Sequence, residues 1–118
     1  MVKFRFQDLE IWHMAIEIAD TLFDIADNLE EKKLYRFAKQ LRGAGMSMSN
    51  NIAEGSGSSS KKEFIQFLNI ARRSMFENAN ILTILHRRKL IELSQLNFLL
   101  DQLDLLCRKT TNFQKSLN

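Results

Sequence analysis

Proline is absent from all 118 residues of this chain, and glycine occurs only four times. Proline breaks helix interiors and glycine weakens them, while tight turns are built from both. A sequence so poor in the two fits long uninterrupted helices and argues against a turn-rich sandwich or barrel. At this length a single domain is expected, and folding buries roughly two thirds of the unfolded chain's surface, so one core suffices. The single cysteine, Cys107, excludes an internal disulfide and a cysteine metal cluster. The opening MVKFRFQDLEIWHM lacks the apolar core of a signal peptide. No stretch approaches the roughly 20 apolar residues of a membrane span. A soluble, cytoplasmic protein without membrane contact is the expectation.

Apolar periodicity predicts four helices, over about 8–28, 33–54, 60–88 and 94–115. In the first, Leu9, Trp12, Ile16, Ala19, Phe23 and Ala26 recur at steps of three and four, behind Asp8 as a candidate N-cap. Ile11, Met14, Ile18, Leu22, Ile25 and Leu29 form a second apolar line beside it. An arc that wide points to burial on two sides, as at a subunit contact. The second helix carries Leu34, Phe37, Ala38, Leu41, Gly45, Met48 and Ile52. Gly43-Ala44-Gly45 interrupts it, and close helix approach is the simplest reason for glycine there. Gly55 suits the C′ position after this helix, and Gly55-Ser56-Gly57-Ser58-Ser59 is a tight linker. Ser60 and Glu63 fit a capping box for the third helix, whose core runs from Phe64 to Leu85. Ser94 is the candidate N-cap of the fourth. Short connections make neighbours antiparallel, so the predicted fold is an all-α, up-and-down four-helix bundle.

The sequence contains no set of groups that identifies a reaction, and no enzyme, cofactor, metal or small-molecule substrate is expected. His13 and His86 lie on different helices with no second ligand at metal spacing. Di-iron bundles need Glu-x-x-His pairs on two helices, and here Glu10 stands three residues before His13 but Thr83 three before His86. Cys107 sits in a leucine stripe and reads as a small packed hydrophobe. GSGSSS does not match the phosphate-loop pattern.

Two other patterns remain. Gln40, Ser47, Asn51 and Glu54 share one face of the second helix. Arg73 and Glu77 lie on lines of the third that would meet it, giving a structural polar network or interface, with a ligand pocket as the alternative. The second pattern is charge. Residues 1–31 hold 8 acidic and 2 basic side chains, whereas residues 32–118 hold 6 acidic and 15 basic. Lys32, Lys33, Arg36, Lys39 and Arg42 form one cluster and Arg87, Arg88 and Lys89 another, with Lys61-Lys62 and Arg72-Arg73 as smaller ones. Such clusters suit phosphate binding, and Tyr35 is the one nearby candidate for base stacking. Two rival explanations stay open: an ordinary solvated face, and charge asymmetry that serves self-assembly.

The stretch Gln40–Gly55, QLRGAGMSMSNNIAEG, resembles the signature of the four-helix-bundle proteins encoded in 23S rRNA intervening sequences. The resemblance rests on Gln40-Leu41-Arg42, Ser47 and Asn51-Ile52-Ala53-Glu54-Gly55, then Lys62-Glu63-Phe64, Phe67-Leu68, Ala71-Arg72, Ser74 and Glu77. Asp8-Leu9, Trp12 and Ala15 fit the family's opening. The family often has arginine-alanine-alanine at Gly43-Ala44-Gly45 and a proline at Ser49. The resemblance implies a homopentameric ring without established catalytic residues. It also implies kinship with the accessory proteins of diversity-generating retroelements, which look like basic rings that bind reverse transcriptase and nucleic acid. The expected activity is therefore that of a non-enzymatic scaffold or adaptor with RNA or a nucleoprotein as partner, or with protein partners alone.

Overall fold

A computed structural model describes residues 1–118. After a 3-10 turn at Arg5–Asp8 come four helices and no strand: α1 (Glu10–Glu31), α2 (Tyr35–Ser56), α3 (Lys61–Arg87) and α4 (Leu93–Ser116). Consecutive helices pack side by side and α4 closes onto α1, which leaves α1 and α3 diagonal and out of contact. The bundle measures 43 × 29 × 21 Å. No helix is long and apolar enough to cross a membrane.

Each helix turns one apolar stripe inward. On α2 the stripe is Ala38, Leu41, Gly45, Met48, Ile52 and Gly55, and on α3 it is Phe64, Leu68, Ala71, Met75, Asn78, Leu82 and Leu85, all buried. Leu96, Leu99, Leu103, Leu106 and Thr110 face them from α4. Both apolar lines of α1 are used inside the chain, since α1 packs on α2 and α4 together. Ile11, Ile18, Leu22, Ile25 and Leu29 are buried, and Trp12, Met14, Ile16 and Phe23 are half-buried. Most of that arc is used within the chain, with parts of Trp12, Met14, Ile16 and Phe23 left open to solvent.

The helix ends are where sequence and structure part. Asp8 does not cap α1: its carboxylate holds Lys3 Nζ at 2.7 Å, and Leu9 takes the N-cap position with extended backbone. Gly55 does not end α2, which runs on to Ser56 with Gly57 as its C-cap. Instead Gly55 is buried inside the helix because α3 crosses there: a Cβ on it would lie 2.7 Å from Phe67 Cβ. At Gly45 the approach to Leu22 is looser, at 3.3 Å, and Gly43 faces open space. Close packing therefore explains Gly45 and Gly55 but not Gly43. Ser60 caps α3 as expected, accepting the Glu63 N–H at 3.1 Å. Glu92, not Ser94, stands at the N-cap of α4.

Candidate nucleic-acid interface

Between α2 and α3 lies a small polar layer. Ser47 Oγ and Ser74 Oγ are 2.8 Å apart, and Asn51 Nδ2 donates to the Ser47 carbonyl at 2.8 Å and to its hydroxyl at 3.1 Å. Asn78, fully buried, donates through Nδ2 to the carbonyls of Ala44 and Ser74, both at 2.8 Å. Its Oδ1 is buried without a partner. Of the polar network expected from sequence, Ser47 and Asn51 meet here. Gln40, Glu54, Arg73 and Glu77 do not; all four are exposed. For Arg73 and Glu77 the reason is rotation of α3. The line that faces α2 contains Ser74 and Asn78, which places Gln66, Arg73 and Asn80 on the outside. No buried carboxylate is present to demand a counter-charge.

Neither histidine gathers other ligands. His13 is exposed, with Nε2 2.7 Å from the Gln7 carbonyl, and half-buried His86 has Nδ1 3.4 Å from the Ile91 carbonyl. No group of three His, Cys, Asp or Glu side chains is disposed to hold a metal ion.

The basic residues cluster more tightly than their sequence separation implies. In an up-and-down bundle the first and third connections lie at the same end, so Lys32-Lys33 and Arg87-Arg88-Lys89 share that end. Leu90 of one turn and Lys32 of the other line a common depression. The two turns have the same construction. Lys32 and Arg88 are C-caps with φ near −84° (−83° and −84°), and each is followed by a lysine in the left-handed region, Lys33 at φ 63° and Lys89 at φ 62°. Lys33 N–H donates to the Glu30 carbonyl at 2.8 Å and Leu34 N–H to Leu29 at 2.9 Å. Lys89 N–H donates to His86 and Leu90 N–H to Leu85, each at 2.9 Å. These are paired Schellman closures, a motif whose left-handed residue is ordinarily glycine.

A lysine in that conformation costs roughly 1–2 kcal/mol relative to glycine. Its charge at an exposed helix C-terminus returns only about 0.3–1 kcal/mol through the helix dipole. On stability alone glycine is the better residue at both turns. Both turns therefore hold an exposed cation where stability favours glycine.

Lys32, Lys33, Arg36, Lys39, Arg87, Arg88 and Lys89 are all exposed, and none pairs with a carboxylate. Arg42 is different. Its Nη2 holds Asp27 Oδ1 at 2.8 Å and its Nη1 holds Glu30 Oε2 at 2.6 Å. The hydrogen bonds to Asp27 and then Glu30 raise its pKa further above its ordinary value. Arg42 thus ties α2 to α1 and is already neutralised. Tyr35 lies beside Asp27, Glu30 and Glu31, among charges that repel phosphate. Glu31 and Glu92 are the remaining carboxylates at this end, against six cations. The exposed aromatic that does lie among free cations is Phe76 of α3, next to Arg72 and Arg73. Phe76 breaks an otherwise polar outer line, and that interruption is visible in the sequence.

A family model described as 23S rRNA-intervening sequence protein matches residues 7–112 of the chain. No curated protein matches it.

Proposed function

We propose that this chain, which belongs to the 23S rRNA-intervening sequence protein family, is a non-catalytic cytoplasmic scaffold that binds RNA or a nucleoprotein by its phosphate backbone. The binding element is the end of the bundle formed by Lys32, Lys33, Arg36, Arg87, Arg88 and Lys89, with Lys39 about one turn down α2. The observation that carries this reading is the pair of left-handed lysines. Cations with no carboxylate partner at a bundle end suit phosphates of any sequence, so affinity without base discrimination is expected. As its family resemblance implies, the scaffold is a homopentameric ring, which would repeat the basic end around one rim.

The double variant Lys33→Gly/Lys89→Gly tests the reading without endangering the fold. It is expected to melt at a higher temperature than wild type, since strain is relieved at both turns. Its affinity for a 20-nucleotide RNA is expected to fall, with the salt slope reduced by roughly 0.7 for each lysine removed. Unchanged RNA affinity at low salt would overturn the assignment of this end.

A second reading has an observation of its own. Exposed Glu17, Asp20, Asp24 and Glu31 line the outer face of α1 without partners, so charge complementarity between copies favours a self-assembling protein scaffold. Under that reading Asp20→Lys/Asp24→Lys lowers the assembly mass measured by sedimentation, and the wild-type assembly binds no RNA.

A further inference from the structure

The outer ridge of α3 is an unassigned surface with a chemistry distinct from the rest of the bundle. Lys62, Gln66, Asn69, Arg73, Phe76, Asn80, Thr83 and Arg87 follow one another at steps of four and three, and every one is exposed. These eight side chains include no carboxylate, and exposed Glu77 flanks them one turn beyond Arg73. At the helical rise of 1.5 Å per residue the ridge extends about 38 Å, and its upper end, Arg87, is part of the basic end described above. Midway along it Phe76 stands 68% exposed. It lines a shallow depression with Asn69, Arg72 and Arg73. Neither arginine is paired with a carboxylate. Arg72 donates only to Asn69 Oδ1, at 3.3 Å, and its Nε is buried without an acceptor.

Phe76 shares this depression with two guanidinium groups and a carboxamide, and it also lines a second, largely apolar one with Met75, Ala79, Leu100, Leu103, Asp104 and Cys107. Bases stack on such a ring whatever their identity, the guanidinium groups take the adjoining phosphates, and amide and hydroxyl side chains accept or donate at base edges. In a duplex the bases are stacked inside and the ring has nothing to meet. We infer that the α3 ridge is a track for single-stranded nucleic acid, with Phe76 as its stacking platform and Arg72 and Arg73 as its phosphate ligands, continuous with the basic end. The inference rests on the nucleic-acid reading above and adds to it a preference for unpaired strand.

The experiment is a titration of full-length protein with a fluorescent 12-nucleotide RNA, and with the same strand annealed to its complement, at several salt concentrations. Phe76→Ala is expected to weaken single-strand binding about tenfold, within the range for loss of one stacking contact, and to leave duplex binding and the salt slope unchanged. Phe76→Tyr is expected to bind as wild type does, because the ring is kept. Arg73→Ala is expected to lower the single-strand salt slope by about 0.7. If Phe76→Ala binds single strand as well as wild type, or loses duplex binding equally, the track is wrong while the basic end stands. If Phe76→Ala changes the assembly mass, the ring is a contact with a second copy and the track is likewise wrong. Wild type that binds neither RNA form overturns the nucleic-acid reading and this inference together.

Discussion

Asn78→Asp is expected to destabilise the bundle strongly at neutral pH and much less in acid. Asn78 sits in the middle of the α3 core stripe and is fully buried, with Nδ2 aimed at the carbonyls of Ala44 and Ser74, both 2.8 Å away. An aspartate there replaces that donor with an oxygen facing two others. The second oxygen falls where Asn78 Oδ1 already lacks a partner. An unpaired carboxylate so placed is destabilising by roughly 3–5 kcal/mol, a large share of the roughly 5–15 kcal/mol that holds a domain folded. Burial raises the folded-state pKa of the introduced acid above its unfolded value. The part of the penalty that comes from charge is therefore absent below about pH 4 and grows by about 1.4 kcal/mol per pH unit until the raised pKa is passed. Thermal melting of the variant at pH 4 and pH 7 reads this directly. A melting temperature equal to wild type at both values would show that the site is wetter than its burial indicates.

Two glycine-to-alanine changes twelve positions apart in α2 are expected to have opposite signs. At Gly55 the new methyl would stand 2.7 Å from Phe67 Cβ and 2.8 Å from Phe64 Cδ1. Phe67 Cβ is fixed to the α3 backbone, so no rotamer change clears it and the helices must separate. Overpacking of this kind costs about 1–3 kcal/mol, occasionally more, and exceeds the gain of about 1 kcal/mol from removing a helical glycine. Gly43 has no atom within 4 Å of the added carbon, so Gly43→Ala keeps only that gain, about 1 kcal/mol. Chemical denaturation of the two variants measures both. Destabilisation by Gly43→Ala would mean that its open face is occupied by something outside the single chain.

The same particulars show what a sequence of this kind reveals. Four helices and their apolar stripes were legible because steps of three and four are geometry, and Ser60 was legible because a serine before lysine and glutamate has one obvious use. The turns were not. Without glycine or proline at Lys33 or Lys89, nothing in residue type marks a left-handed closure, and the two clusters of cations gave no hint that bundle parity sets them at one end. Asp8 was misread because a lysine five residues earlier claims its carboxylate. The polar layer was half legible. Asn78 is the one non-apolar member of the α3 core stripe, and it was passed over for Arg73 and Glu77, whose charge drew attention while their position on the helix pointed outward. Arg42 fits the cation cluster by sequence, and only the approach of α1 and α2 shows that Asp27 and Glu30 have already taken it.

The diagonal placement of α1 and α3 has a kinetic consequence. α1 carries seven carboxylates and no lysine or arginine, whereas α3 carries five cations against Glu63 and Glu77, so the subunit has a transverse electric dipole that its net charge of +3 understates. A polyanion drifting within a screening length, about 10 Å at 0.1 M salt, exerts a torque before it touches anything. Collisions are biased toward the α3 side, and the association rate of a phosphate chain should slow with added salt even where the bound lifetime does not change.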